Sequence, residues 1–215
     1  MRDTARSTRE TEIEAAAYRL LEEKGFAGTT VQAIAREARA SNETLYRWYG
    51  DKTGLFRALI DRNAGTIRDR ITDLRAAGGS GLAVLERLGA PLLAMLLGDR
   101  AVALNRAAAA DAGGALGAAL AAGGRDTIAP LVRDLMAEAV AEGALSGDPG
   151  ALAEDWLTLL VGDLQIRRVT GALPFPPAEW ITERASGALD RLCRLHPAGP
   201  RAASVLPVAP DRRVP

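Results

Sequence analysis

Apolar residues in this chain recur at three- and four-residue intervals, and no stretch of weight alternates at the two-residue period of a strand. That property alone restricts the fold to packed helices. Between residues 8 and 25, Ile13, Ala16, Ala17, Leu20 and Leu21 mark one helical face, and Gly25 stands where the helix should stop. A short helix is expected at about 30–38, with Val31, Ile34, Ala35 and Ala38 on one side. Thr29, three residues before Gln32, has the spacing of a capping box. Ser41 can cap a third helix, about 42–48, that turns Leu45 and Tyr49 inward. Asp51 can cap a long fourth helix, whose apolar positions from Leu55 to Leu74 hold the helical period to about residue 76.

Gly78-Gly79-Ser80-Gly81 then breaks the chain. Further helices are expected at 82–97, bent at Pro91, and in two pieces between 100 and 122 parted at Gly113-Gly114. Three more should follow, at 126–142, from Asp148-Pro149 to about Thr170, and at 177–195. Residues 197–215 hold five of the eleven prolines and no periodic pattern, which predicts a disordered tail. The expected architecture is all-α: a small N-terminal three-helix unit over 1–52 and a larger helical bundle over 53–196.

A chain of 215 residues is long enough to bury a sizeable core. The single Cys193 and single His196 cannot assemble a structural zinc site, a disulfide scaffold or a nucleophile–histidine pair, so no metal or cofactor is expected. Cys193 reads as an ordinary buried residue, and His196, bordering the tail, is given no role. No apolar run approaches the roughly 18–20 residues of a membrane helix. The polar N-terminus is followed by no apolar signal segment, which predicts a cytoplasmic chain with no membrane partner. Lys+Arg and Asp+Glu number 27 each, so any attraction to a polyanion must be local. Residues 1–60 hold ten basic and nine acidic side chains. Five of the acids, Glu10, Glu12, Glu14, Glu22 and Glu23, lie on the first helix, whereas Arg36, Arg39, Arg47 and Lys52 gather around the third.

The most informative stretch runs from Gly28 to Tyr49: GTTVQAIAREARASNETLYRWY. Two short helices meet at a tight turn. Ala35 and Ala38 supply small volume where they cross, and Val31, Ile34, Leu45 and Tyr49 supply apolar anchors. Asn42, Glu43, Thr44, Arg47 and Trp48 remain outward on a short second helix, an arrangement that suits a DNA major groove. On Gly28-Thr29-Thr30-Val31, Ile34-Ala35, Ser41, Thr44-Leu45-Tyr46, Lys52 and Leu55-Phe56, the segment from Phe26 to Phe56 resembles the DNA-binding domain of tetracycline-repressor-type (TetR family) regulators. Three positions depart from the family pattern. Arg39 stands where the turn usually has Gly, Glu43 where a small residue is common, and Arg47-Trp48-Tyr49 where an aromatic-His-aromatic run is common.

The resemblance implies a role for each matching residue. Thr30 and Tyr46 would hydrogen-bond phosphates, and Lys52 would add a charge contact at a helix N-terminus. Ser41 would open the recognition helix. Asn42, Thr44 and Arg47 would face base edges or the adjoining backbone, Arg as a partner for guanine and Asn for adenine. Glu43 would repel phosphates unless it accepts from a cytosine amino group. Arg2, Arg6 and Arg9 could reach a neighbouring phosphate. Plainer readings stand beside these: Tyr46 as a half-buried core aromatic, Arg47 and Lys52 as solvated surface charges, and Trp48 packed on the first helix.

The C-terminal half resembles the family's ligand-binding and dimerisation domain in helical pattern. That implies a homodimer through about 150–195, reading a palindromic double-stranded DNA operator. It also implies a pocket for an apolar or amphipathic small-molecule effector within 82–170. Asn105, Arg106, Asp155, Trp156 and Gln165 are the polar or amphipathic candidates to line it. The function so implied is a ligand-responsive DNA-binding transcriptional regulator, in this family most often a repressor, and not an enzyme. The alternative is a helical interaction module that keeps the fold without binding DNA.

Overall fold

The computed structural model describes residues 2–198, with side chains from Arg6 onward. The expected tail therefore lies outside the described residues except for Pro197 and Ala198. The helices are α1 (Arg2–Gly28), α2 (Val31–Glu37), α3 (Asn42–Tyr49), α4 (Lys52–Ala76), α5 (Gly81–Leu97), α6 (Asp99–Ala110), α7 (Ala115–Leu120), α8 (Asp126–Ala141), α9 (Pro149–Val161), α10 (Leu164–Val169) and α11 (Ala178–Leu195). A single π-helical turn, Ala121–Arg125, leads from α7 into α8. No strand occurs among the described residues.

Local chemistry sets the boundaries. Ser41, Asp51 and Asp148 cap α3, α4 and α9 as their sequence positions predict, each accepting from a backbone N–H three residues on, at 3.1, 2.7 and 3.0 Å. The cap of α2 is Thr30, which accepts from Ala33 N at 3.1 Å, and not the expected Thr29. Thr29 is fully buried, and its hydroxyl donates to the carbonyls of Gly25 and Leu20 at 2.8 and 3.1 Å. It closes the end of α1 instead of opening α2. That end is needed because Gly25, at φ 65°, kinks α1 and leaves carbonyls without helical partners.

The expected helix from Asp148 to Thr170 is two helices. Gly162 holds φ at 50°, a region that favours glycine, and α9 stops there before α10 begins at Leu164. The expected bend at Pro91 does not divide α5, which runs unbroken through it.

The apolar side chains form two cores. In the N-terminal core, Ile13, Ala17 and Leu21 of α1 meet Ile34, Leu45, Leu55, Phe56 and Leu59, with Leu104 and Leu116 of α6 and α7 packed on top. In the bundle core, α5, α8, α9 and α11 meet through Leu85, Leu88, Leu93, Val132, Leu135, Trp156, Leu160 and Leu192. Helix α4 contributes to both: Leu55 to Ile60 enter the first core, and Ala64 to Leu74 the second. Gly89 lets α5 approach α11, since a Cβ there would come within 3.1 Å of Ala185 Cβ.

Two charged devices join the helices. Arg62 of α4 pairs with Glu10 and Glu14 of α1 at 2.8 and 2.7 Å. Arg168, largely buried, donates to Leu97 O, Leu173 O and Asp99 Oδ1 at 2.8, 3.1 and 2.7 Å, so α10 is tied to the α5–α6 corner. His196, given no role from sequence, bonds through Nε2 to Asp155 Oδ2 at 2.8 Å. Ser146 meets His196 O and Pro197 O, so the end of α11 is fastened to the α8–α9 loop.

Candidate nucleic-acid interface

Helices α2 and α3 form the helix-turn-helix. Ala35 and Ala38 are buried at the crossing, and Leu45 is buried beneath α3. The turn requires a left-handed residue, and Arg39 supplies it at φ 52°, the lone positive-φ residue other than glycine among those described. Arg9 of α1 reaches across to donate to Ala38 O at 3.2 Å and to Arg39 O at 3.5 Å while pairing with Glu12 at 2.8 Å. Its guanidinium braces the turn from below.

The outer face of α3 is polar. Asn42, Glu43 and Arg47 are exposed, and their side chains form no hydrogen bond or ion pair among the described residues. Thr44 is half-buried, with its hydroxyl 2.9 Å from Ser41 Oγ. Tyr46 is 44% exposed, so its ring is not a core aromatic. Its hydroxyl accepts from Gln32 Nε2 at 2.9 Å, across the turn from α2. Thr30 is exposed at the start of α2. With its oxygen accepting from Ala33 N, its hydroxyl hydrogen is free to donate outward.

Trp48 and Lys52 are held by the protein. Trp48 is half-buried, with the Arg6 guanidinium 5.2 Å from its ring centroid and Tyr49 edge-on at 6.3 Å. Arg6 itself pairs with Glu10 at 2.9 Å. The ammonium of Lys52 donates to Phe26 O at 2.9 Å and sits 3.9 Å from the Phe26 ring centroid, at the carbonyl end of α1. It is not a freely solvated charge. The side chain of Arg2 lies outside the described residues.

Behind α3 the environment is drier. Burial, with Glu10 and Glu14 nearby, pushes the Tyr49 hydroxyl up to about 12. Burial does the same to Tyr18, also to about 12. The hydrogen bond from Arg6, joined by Arg62, holds the Glu10 carboxyl below its ordinary value. Burial raises Glu14 despite its pairing with Arg62.

The five expected effector-lining residues do not converge. Asn105 donates to Ala101 O of its own helix at 2.8 Å, and Gln165 to Leu96 O at 3.1 Å. Arg106 holds Val169 O at 2.7 Å and Arg168 O at 3.3 Å on the outside of α6. Asp155 is engaged with His196. Trp156 is fully buried in the bundle core, its Nε1 without a hydrogen-bond partner among the described residues. Amphipathic side chains on apolar helices are the sequence signal, and two of these, Gln165 and Arg106, are bound to backbone carbonyls at the ends of α5 and α10. Two clefts of about 520 Å³ each open beside α1, and Arg106 lines one of them. One lies between Leu21, Glu22 and Phe26 of α1 and Val102, Arg106 and Ala107 of α6. The other lies beside Tyr18, Asn63 and Met95.

The contacts of Gln32 with Tyr46, of Arg6 with Trp48 and of Arg9 with the turn have no signal in sequence spacing; Gln32 stands at a capping-box spacing from Thr29, and its partner is fourteen residues away.

Comparison with known proteins agrees with this geometry. Residues 13–59 match the family described as bacterial regulatory proteins, tetR family, and residues 83–195 match the C-terminal domain of AefR-like transcriptional repressors. A solved TetR transcriptional regulator from Agrobacterium tumefaciens is 30% identical, with TM-score 0.68 over 87% of this chain and 94% of that one. The flavonoid-responsive regulator FrrA is 25% identical, with TM-score 0.66 over 91% of this chain and all of that one. An uncharacterized HTH-type transcriptional regulator of Mycobacterium bovis, Mb1581, is 38% identical over 77 residues, a match spanning 32% of this chain and 38% of that relative. The chain belongs to the tetR family of bacterial transcriptional regulators.

Proposed function

We propose that this protein is a transcriptional repressor that binds a palindromic operator as a homodimer and releases it when a small apolar or amphipathic effector binds. The observation that carries the DNA half is the face of α3: Asn42, Glu43 and Arg47 stand unpartnered beside Tyr46, on a helix fixed from behind by a buried Leu45. Such a face suits base edges, while Thr30, Tyr46 and Lys52 would meet phosphates. Residues 1–52 would act as the DNA-binding unit and 53–196 as the effector and dimer unit, with α4 as the shared element. A DNA-binding role places the chain in the cytoplasm.

Uncovered apolar surface supports self-association. Leu157, Leu159 and Val161 of α9 are only partly covered, and Trp180 and Leu195 of α11 are exposed. The effector half is supported by the clefts beside α1, and by FrrA, which is described as flavonoid-responsive.

The test is fluorescence anisotropy of the whole chain against duplexes selected from random oligonucleotides and against scrambled controls, at several salt concentrations. Saturable, sequence-selective binding that weakens with salt is expected. Arg47→Ala should cost about 1–3 kcal/mol on the selected duplex and relax preference at one symmetric pair of positions. Equal loss on both duplexes would make Arg47 a phosphate contact. No selected duplex at all would favour the interaction-module reading.

A further inference from the structure

The bond between Gln32 and Tyr46 joins the two helices of the motif on their exposed side, at 2.9 Å between Nε2 and the phenol oxygen. Water competes for both groups, so the bond adds little to folding. Its consequence is directional. A phenol oxygen that accepts from an amide has its own hydrogen left to give, and that hydrogen must point away from Gln32. A phosphate oxygen only accepts. The amide thus holds Tyr46 in the one polarity that a DNA backbone can use, and fixes the ring, 44% exposed and otherwise free to turn, before DNA arrives.

We propose that Gln32 is a positioning residue for DNA binding, acting through the Tyr46 hydroxyl. This rests on the reading of the α3 face as a DNA interface. Gln32 on this account reads no base, and its contribution is the same on every sequence.

Gln32→Met keeps the length and the apolar stem of the side chain and removes the donor. With Tyr46→Phe and the double variant it forms a cycle. The whole chain is titrated against a selected duplex and a scrambled duplex, with circular dichroism confirming that each variant folds. Gln32→Met should weaken binding to both duplexes by the same factor, about 3–10-fold, the range of one net hydrogen bond. In the Tyr46→Phe background it should have no further effect. Unchanged affinity for Gln32→Met while Tyr46→Phe weakens binding would overturn the proposal, as would two losses that multiply. A loss confined to the selected duplex would make Gln32 a base reader and overturn it equally. If Tyr46→Phe, Gln32→Met and Arg47→Ala all leave both duplexes unaffected, the DNA interface itself is misplaced and the proposal falls with it.

Discussion

Arg39 holds φ at 52°, where a side chain costs roughly 1–2 kcal/mol that glycine avoids. Glycine returns part of that gain through its freer unfolded chain. Arg39→Gly is therefore expected to stabilise the protein by about 0.5–1 kcal/mol, seen as a higher urea midpoint with an unchanged slope. Lys52 presents the opposite balance. Its ammonium serves the Phe26 carbonyl and ring within the fold, and a phosphate would draw on the same charge. Lys52→Ala should cost about 1–2 kcal/mol of folding stability. It should also weaken all DNA alike, lowering the salt slope by about one unit per subunit. The departure at Arg39 was visible in the sequence, because the turn type has a preferred residue there. The Lys52 contact was not, because it depends on where α1 ends in space.

At the scale of elements, α10 depends on a single side chain. Arg168 is the donor for the carbonyl of Leu97 at the end of α5, the donor for the loop carbonyl of Leu173, and the partner of Asp99. Arg168→Ala should leave those carbonyls unpaired and cost about 2–3 kcal/mol, read as a lower unfolding midpoint. Helices α1 and α3 bring a different dependence. Tyr18 and Tyr49, both raised to about 12, are protonated in the folded protein at pH values where the unfolded chain ionises. Their contribution is complete below pH 10 and is lost as pH climbs toward 12, so stability should fall through that window. Spectrophotometric titration near 295 nm should show these two phenols ionising late, and Tyr49→Phe should reduce the alkaline loss. The caps at Ser41, Asp51 and Asp148 were legible because each is a local contact three residues long. The division at Gly162 was hidden, because the apolar pattern continues across it from Leu160 to Leu164.

At the scale of the whole molecule, the proposed homodimer separates two kinds of substitution. Leu160 and Leu164 are buried within one chain, so a charge at either should unfold the bundle. Gly187 of α11 has open space where a Cβ would stand. Gly187→Arg should therefore keep its helical content and shift the sedimenting species from dimer toward monomer. A dimer that persists would place the association surface elsewhere. An effector bound in the cleft between α1 and α6 would touch both helices at once, and its coupling to DNA should be reciprocal and about 1–3 kcal/mol. Anisotropy with and without compound measures one direction, and compound binding with and without DNA the other.

By itself the sequence determined the all-helical class, most helix boundaries, and the helix-turn-helix with its outward polar set. These depend on the 3.6-residue period and on caps, which act within one turn of chain. The tertiary structure decided which polar side chains were already engaged. Thr29 and Lys52 serve the end of α1, Trp48 lies against Arg6, Gln32 reaches Tyr46, and four of the five expected effector contacts bind groups inside the fold. A helix end leaves carbonyls that need donors, and the donor that answers is the one that packing brings near, however distant it is in sequence.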